Sequence, residues 1–333
     1  MDLAFVVAGL VMLLFGGDAL VRGAVALSLR LGVPALIVSL TVVAFGTSAP
    51  ELLIGVQAAL EGAPGIAFGN VVGSNIANVL LVLGVPALLK GITTEGSGSG
   101  RNYALMVFSS LIFIGLCALG PLETWHGLLL LALLGVMLFD AYRASMVARR
   151  NATVLGQGDG TAAIVGGEPE IDEEDVLDEI DEATRDMPLP KALLFLIGGL
   201  ILLPLGAHLL IDGARAIAMS VGVSEAVIGL TLVAIGTSLP ELATTIMATF
   251  RNQCDVAIGN VIGSNMFNIL AIMGITSFFG PLPVPEGFLT YDLWVMLAAS
   301  LILIPFVWVL PRIGRGWGLL FLAAYVGYTW SIV

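Results

Sequence analysis

Charge is scarce in this chain of 333 residues: Asp, Glu, Lys and Arg together make up 11% of it, where a soluble globular domain carries about 25%. That shortage excludes a water-soluble globule. The chain holds two cysteines, Cys117 and Cys254, and two histidines, His126 and His208. Neither pair has metal-ligand spacing, so a disulfide framework and a zinc site are both excluded. Lys and Arg number 13 against 25 Asp and Glu, which leaves no basic face for a nucleic acid. What fills the chain instead is apolar: 58% of residues are hydrophobic and the mean hydropathy is +1.03. Runs such as Leu3–Phe15, Leu105–Leu119, Leu128–Phe139 and Leu319–Val326 belong to segments that approach the roughly 20 residues a bilayer-spanning helix needs. The expected class is an all-α polytopic membrane protein.

The net charge of −12 is local. Residues 151–186 hold 12 of the acids and one base, Arg185, leaving 13 acids and 12 bases elsewhere. Polar, Gly and Pro punctuation divides the rest into ten expected spans, near 3–29, 34–60, 65–89, 103–119, 123–143, 190–219, 223–250, 255–279, 288–310 and 315–331. Five fall on each side of the acidic segment. Displacing the chain by 190 residues aligns Gly16–Gly84 with Gly206–Gly274 without a gap, and 28 of the 69 positions are identical. The expected units are therefore two five-helix repeats, 1–150 and 187–333, joined by an acidic loop at 151–186.

An odd number of spans per repeat inverts the second copy in the membrane, an arrangement used by many secondary transporters. Basic residues give the orientation. Arg30, Lys90, Arg101, Arg143, Arg149, Arg150, Arg185, Lys191, Arg251, Arg312 and Arg315 all fall in connections on the side of the acidic loop. The connections near Glu61, Glu123 and Glu286 have none. By the positive-inside tendency the acidic loop is expected in the cytoplasm and both termini outside, with the chain in the inner membrane. The other two bases, Arg22 and Arg215, lie within spans. They are expected to neutralise Asp18 and Asp212 on the same helix turns. Gly16, Gly17, Gly23, Gly32, Gly206 and Gly213 are expected to let helices approach closely.

Identity between the copies is densest in two blocks per half. The first half reads Gly46-Thr47-Ser48-Ala49-Pro50-Glu51 and Gly69-Asn70-Val71-Val72-Gly73-Ser74-Asn75-Ile76-Ala77-Asn78. The second reads Gly236-Thr237-Ser238-Leu239-Pro240-Glu241 and Gly259-Asn260-Val261-Ile262-Gly263-Ser264-Asn265-Met266-Phe267-Asn268. Pro50 has no backbone donor, so the helix is expected to kink or break and to free carbonyls near Ala44–Gly46. Irregular backbone at membrane depth must be buried in protein or line a cavity. Thr47 and Ser48 precede Glu51 by four and three residues and share its side of the helix; Ser74 and Asn78 share a face of the next span. The second copy repeats this with the Ala234 region, Thr237, Ser238, Glu241, Ser264 and Asn268. All are hard oxygen ligands, suited to calcium or sodium rather than to zinc or copper. A carboxylate at the bilayer centre costs about 2.5–3.5 kcal/mol, and no Lys or Arg lies in the blocks. One Ca²⁺, two monovalent cations or two protons would neutralise the pair, and competition for it is a physical basis for exchange.

These duplicated blocks resemble the two alpha repeats of the sodium/calcium exchanger family, within the cation/calcium antiporter superfamily, with motifs at 41–84 and 231–274. The resemblance implies ten helices, with helices 2, 3, 7 and 8 forming the ion site and helices 1 and 6 sliding as a gate. Carried over residue by residue, it implies ligation by Thr47, Ser48, Glu51, Ser74, Asn78, Thr237, Ser238, Glu241, Ser264 and Asn268, with the carbonyls of Ala44 and Ala234. Some relatives carry an acid at the position of Asn268. Here Asn78 and Asn268 are both amides, leaving two fixed charges and weakening a role for potassium. The expected function is Na⁺/Ca²⁺ antiport by alternating access, electrogenic, with Ca²⁺ and Na⁺ as substrates, no cofactor, no enzymatic chemistry, and one chain sufficient for the site. Proton/calcium exchange, potassium-assisted exchange and a cation channel are the alternatives.

Overall fold

A computed structural model describes residues 2–94, 100–155, 182–220 and 236–332. Its helices are α1 (Asp2–Leu31), α2 (Ala35–Thr47), α3 (Ala49–Leu60), α4 (Pro64–Leu89), α5 (Gly100–Ala118), α6 (Thr124–Leu155), α7 (Leu189–Ser220), α8 (Leu239–Phe250), α9 (Cys254–Phe279), α10 (Phe288–Trp308) and α11 (Arg315–Ile332). Two short strands, β1 (Ile92–Thr93) and β2 (Arg312–Ile313), pair antiparallel. Among the described residues seven helices are long and apolar enough to cross a membrane, or eight if α2 and α3 count as one bent span.

The span expected at 34–60 is broken. Helices α2 and α3 meet at an angle of 45°, with Ser48 between them at φ −86°, ψ 5°. Pro50 is the cause: it sits in the first turn of α3, where its missing N–H costs nothing, and it denies the Gly46 carbonyl its i+4 donor. Helix α8 begins the same way, with Ser238 at φ −88°, ψ 4° followed by Pro240. The earlier part of the span expected at 223–250 lies outside the described residues, as does most of the acidic loop. Residues 151–155 are a correction: they continue α6 to Leu155, because neither Gly nor Pro interrupts the stretch after Phe139.

Burial sorts the helices into a centre and a periphery. The apolar window of α9 is buried throughout and that of α4 to 78%, against 33% for α1 and 28% for α7. Lipid is the natural solvent for the exposed Leu3, Phe15, Leu194 and Ile201 of that outer pair. Close backbone approach holds α1 to α7: a Cβ on Gly9 would lie 2.6 Å from the Gly206 carbonyl, and one on Gly206 2.9 Å from the Gly9 carbonyl. Gly16, Gly23 and Gly213 are equally crowded by the partner helix, and Gly17 by α8. Gly32 is different. It ends α1 at φ 63°, the left-handed cap that glycine adopts without strain.

Candidate ion-binding site

Two breaks and two central helices bring the duplicated blocks together. Glu51 at the start of α3 and Glu241 at the start of α8 are each 1% exposed. Each sits in the first turn after its break, where the unsatisfied backbone N–H groups and helix dipole favour negative charge. Ser48, which belongs to the first break, donates its hydroxyl to Glu241 Oε1 at 3.4 Å. The contact from Ser48 spans 193 residues of sequence, so the two halves meet at the carboxylate.

Of the residues singled out from sequence, Thr47, Ser48, Glu51, Ser74, Asn78, Ser238, Glu241, Ser264 and Asn268 are all buried, and Thr237 is half-buried. Glu51 Oε2, Glu241 Oε2, Asn78 Oδ1, Asn268 Oδ1, Ser238 Oγ and Ser264 Oγ make no hydrogen bond among the described residues. Buried polar atoms are almost always paired. These six oxygens, on equivalent elements of both halves, keep electron pairs free in a dry interior. No Lys, Arg or His is in the four blocks to pair with them, and the described residues hold no group of three or more His, Cys, Asp or Glu that could hold a metal ion by themselves.

One backbone expectation turns out differently. The Ala44 carbonyl is engaged, accepting the Ser48 N–H at 3.0 Å and the Thr47 hydroxyl at 3.3 Å. The break frees its carbonyl one turn below Pro50, at Gly46, because only there is the i+4 donor a proline. Ala234 lies outside the described residues.

Several polar residues of the blocks had no role from spacing alone. Asn70 donates to the Glu51 carbonyl at 2.9 Å and Asn260 to the Glu241 carbonyl at 3.4 Å, so each tethers the helix turn that carries a glutamate. Asn260 also bonds Thr245 and accepts from Thr47. Asn75 and Asn265 join across the centre. The usable signal was their exact recurrence at the 190-residue offset. The pair expected between Asp18 and Arg22 exists at 3.1 Å, but Asp18 also binds Arg251 at the end of α8. That links the outer helix α1 to the site-bearing α8.

The family model described as sodium/calcium exchanger protein matches residues 1–142 and 191–333. The chain belongs to the sodium/calcium exchanger family. Its match omits 143–190, the stretch that contains the acidic loop. The chain is 36% identical over 332 residues to a putative antiporter, CaxA, of Alkalimonas amylolytica, covering 98% of this chain and 97% of that one. It is 33% identical to the sodium/calcium exchanger MaX1 of Methanosarcina acetivorans, covering 96% and 95%. A solved structure of the sodium-calcium exchanger NCX_Mj soaked with Na⁺ and Sr²⁺ superposes with a TM-score of 0.78 at 30% identity, covering 98% of this chain and 97% of that one. Membership makes the chain a polytopic membrane transporter of the antiporter type and not an enzyme.

Proposed function

We propose that the protein exchanges Na⁺ for Ca²⁺ by alternating access, extruding Ca²⁺ electrogenically. One observation carries this reading: two buried glutamates, one from each half, lie among unpartnered hydroxyl and amide oxygens with no basic residue in the four blocks to neutralise them. A pair of uncompensated negative charges at membrane depth is costly, and a single Ca²⁺ or two monovalent cations remove the cost. Because both kinds of load need the same carboxylates, occupancy by one excludes the other. If three Na⁺ replace one Ca²⁺, each cycle moves net charge. The names of MaX1 and NCX_Mj as sodium/calcium exchangers support the choice of ions.

The proposed ligands are Thr47, Ser48, Glu51, Ser74, Asn78, Thr237, Ser238, Glu241, Ser264 and Asn268, with the Ala234 carbonyl. The Ala44 carbonyl joins them when the Thr47 hydroxyl turns from it toward the ion. The architecture behind the site is ten spans in two inverted repeats, 1–150 and 187–333, about a cytoplasmic acidic segment. Support for the inversion comes from the reciprocal bonds among Asn75, Asn78, Asn265 and Asn268, which map onto themselves when the copies are interchanged. Support for the orientation comes from the gathering of bases at one end: Lys90 caps the carbonyls of Thr249 and Phe250, and Arg312 and Arg315 bond the carbonyls of Lys90 and Leu89. The outer pair α1 and α7 is the moving gate, packed through glycine contacts that permit sliding.

Flux in proteoliposomes tests the reading. An imposed Na⁺ gradient should drive Ca²⁺ uptake, a K⁺ or pH gradient should not, and a membrane potential should alter the Na⁺-driven rate. Glu51→Gln or Glu241→Gln should each abolish uptake. Wild-type flux in both variants would refute the site, and uptake driven by a pH gradient without sodium would replace Na⁺ by H⁺ as the coupling ion.

A further inference from the structure

Asn75 and Asn265 lie outside the proposed ligand set, yet each is 1% exposed and fully engaged. Asn75 donates from Nδ2 to the Asn265 carbonyl at 3.3 Å, and Asn265 returns the bond to the Asn75 carbonyl at 3.4 Å. Their side-chain oxygens are also used. Asn265 Oδ1 accepts from Asn78 Nδ2 at 3.0 Å, and Asn75 Oδ1 accepts from Asn268 Nδ2 at 3.0 Å. Each bond crosses between the halves. The amide of Asn78 is held by a residue of the second copy and that of Asn268 by a residue of the first.

A carboxamide is nearly symmetric in shape but opposite in polarity at its two ends. Turned one way it offers a cation an oxygen; turned the other way it offers N–H donors that repel it. In this ring the Nδ2 groups of Asn78 and Asn268 are committed to Asn265 and Asn75, which leaves their Oδ1 atoms as the orphaned oxygens. Flipping either amide would set oxygen against oxygen at 3.0 Å in a dry interior and strand a donor there. Local backbone reinforces the aim. Asn78 and Asn268 each open a π-helical turn, Asn78–Val82 in α4 and Asn268–Ile272 in α9, a distortion often found at functional sites.

We propose that Asn75 and Asn265 are positioning residues: each fixes the amide of the opposite repeat so that Asn268 and Asn78 present oxygen to the transported cation. The inference rests on the assignment of Asn78 and Asn268 as ligands. Each half thereby orients a ligand of the other, and the consequence is a specific pattern of coupling.

The test is a double-substitution cycle on the full-length transporter in proteoliposomes, reading the Ca²⁺ half-saturation and the maximal Na⁺-driven rate. Asn75→Ala should raise half-saturation roughly tenfold, the scale of one misoriented ion-facing group, with the maximal rate per folded protein within about a factor of two. Asn268→Ala should raise half-saturation by at least as much. The combination N75A with N268A should be no worse than N268A alone, whereas N75A with N78A should multiply. Should Asn75→Ala not fold, Asn75→Ser keeps the position polar but is too short to reach Asn268, and it carries the same arm. If N268A raises half-saturation while N75A does not, or if their effects multiply, the positioning role is overturned and the ligand assignment stands. If N268A changes nothing, the ligand assignment fails, and the positioning role with it.

Discussion

Ser48 shows what a single hydroxyl can do at this site. It stands at the break between α2 and α3, and its hydroxyl reaches the carboxylate of the other half. Hydrogen bonds to a charged group are worth about 1.5–3 kcal/mol. Ser48→Ala should therefore weaken Ca²⁺ roughly tenfold in half-saturation while leaving protein yield unchanged, as ion-flux titration would show. An unchanged half-saturation would remove Ser48 from the ligand set. The glutamates and hydroxyls were legible from sequence because a carboxylate in an apolar run has few explanations and because each motif occurs twice. The tethering amides Asn70 and Asn260 were not, since an asparagine in a membrane helix bonds whichever helix faces it, and helix rotation is not written in spacing.

At the scale of elements, breaks and close approaches matter more than propensity. Pro50 announced the interruption between α2 and α3, which falls where expected, and Pro240 stands in the first turn of α8 as Pro50 does in that of α3. The contact of α1 with α7 depends instead on glycines, whose missing side chains let backbones approach. Gly206→Leu places a Cβ 2.9 Å from the Gly9 carbonyl and the Met12 Cβ. Overpacking of that kind costs about 1–3 kcal/mol, so the melting temperature in detergent should fall and Na⁺-driven flux should slow. Gly115→Ala in α5, where a Cβ meets nothing within 4 Å among the described residues, should leave both measurements unchanged. A loss equal to that of G206L would mean the outer pair is not tightly packed. The bond of Asp18 to Arg251 also belongs to this scale: it joins α1 to α8 across 233 residues, a relation that pairing within a helix did not suggest.

For the whole molecule, the distribution of bases argues one orientation. Lys90, Arg312 and Arg315 meet at one end of the bundle, whereas the connection between Leu122 and Leu282 at the other carries Glu123 and Glu286. A reporter fused to either terminus should read as external: alkaline phosphatase active, green fluorescence absent. The opposite pattern would invert the molecule and reverse the side on which α8 is held to α1.

Hydropathy and duplication alone were enough for an all-helical membrane protein, the break at Pro50 and the two buried acids. Water is absent from the bilayer core, so backbone must close its own hydrogen bonds into helices, and that demand is readable along one dimension. Which face of each helix meets which neighbour was beyond that reading. The swapped amides, the occupied Ala44 carbonyl and the tie from Asp18 to Arg251 all depend on helix rotation and crossing. Those are settled by packing among side chains distant in sequence, and no local pattern encodes them.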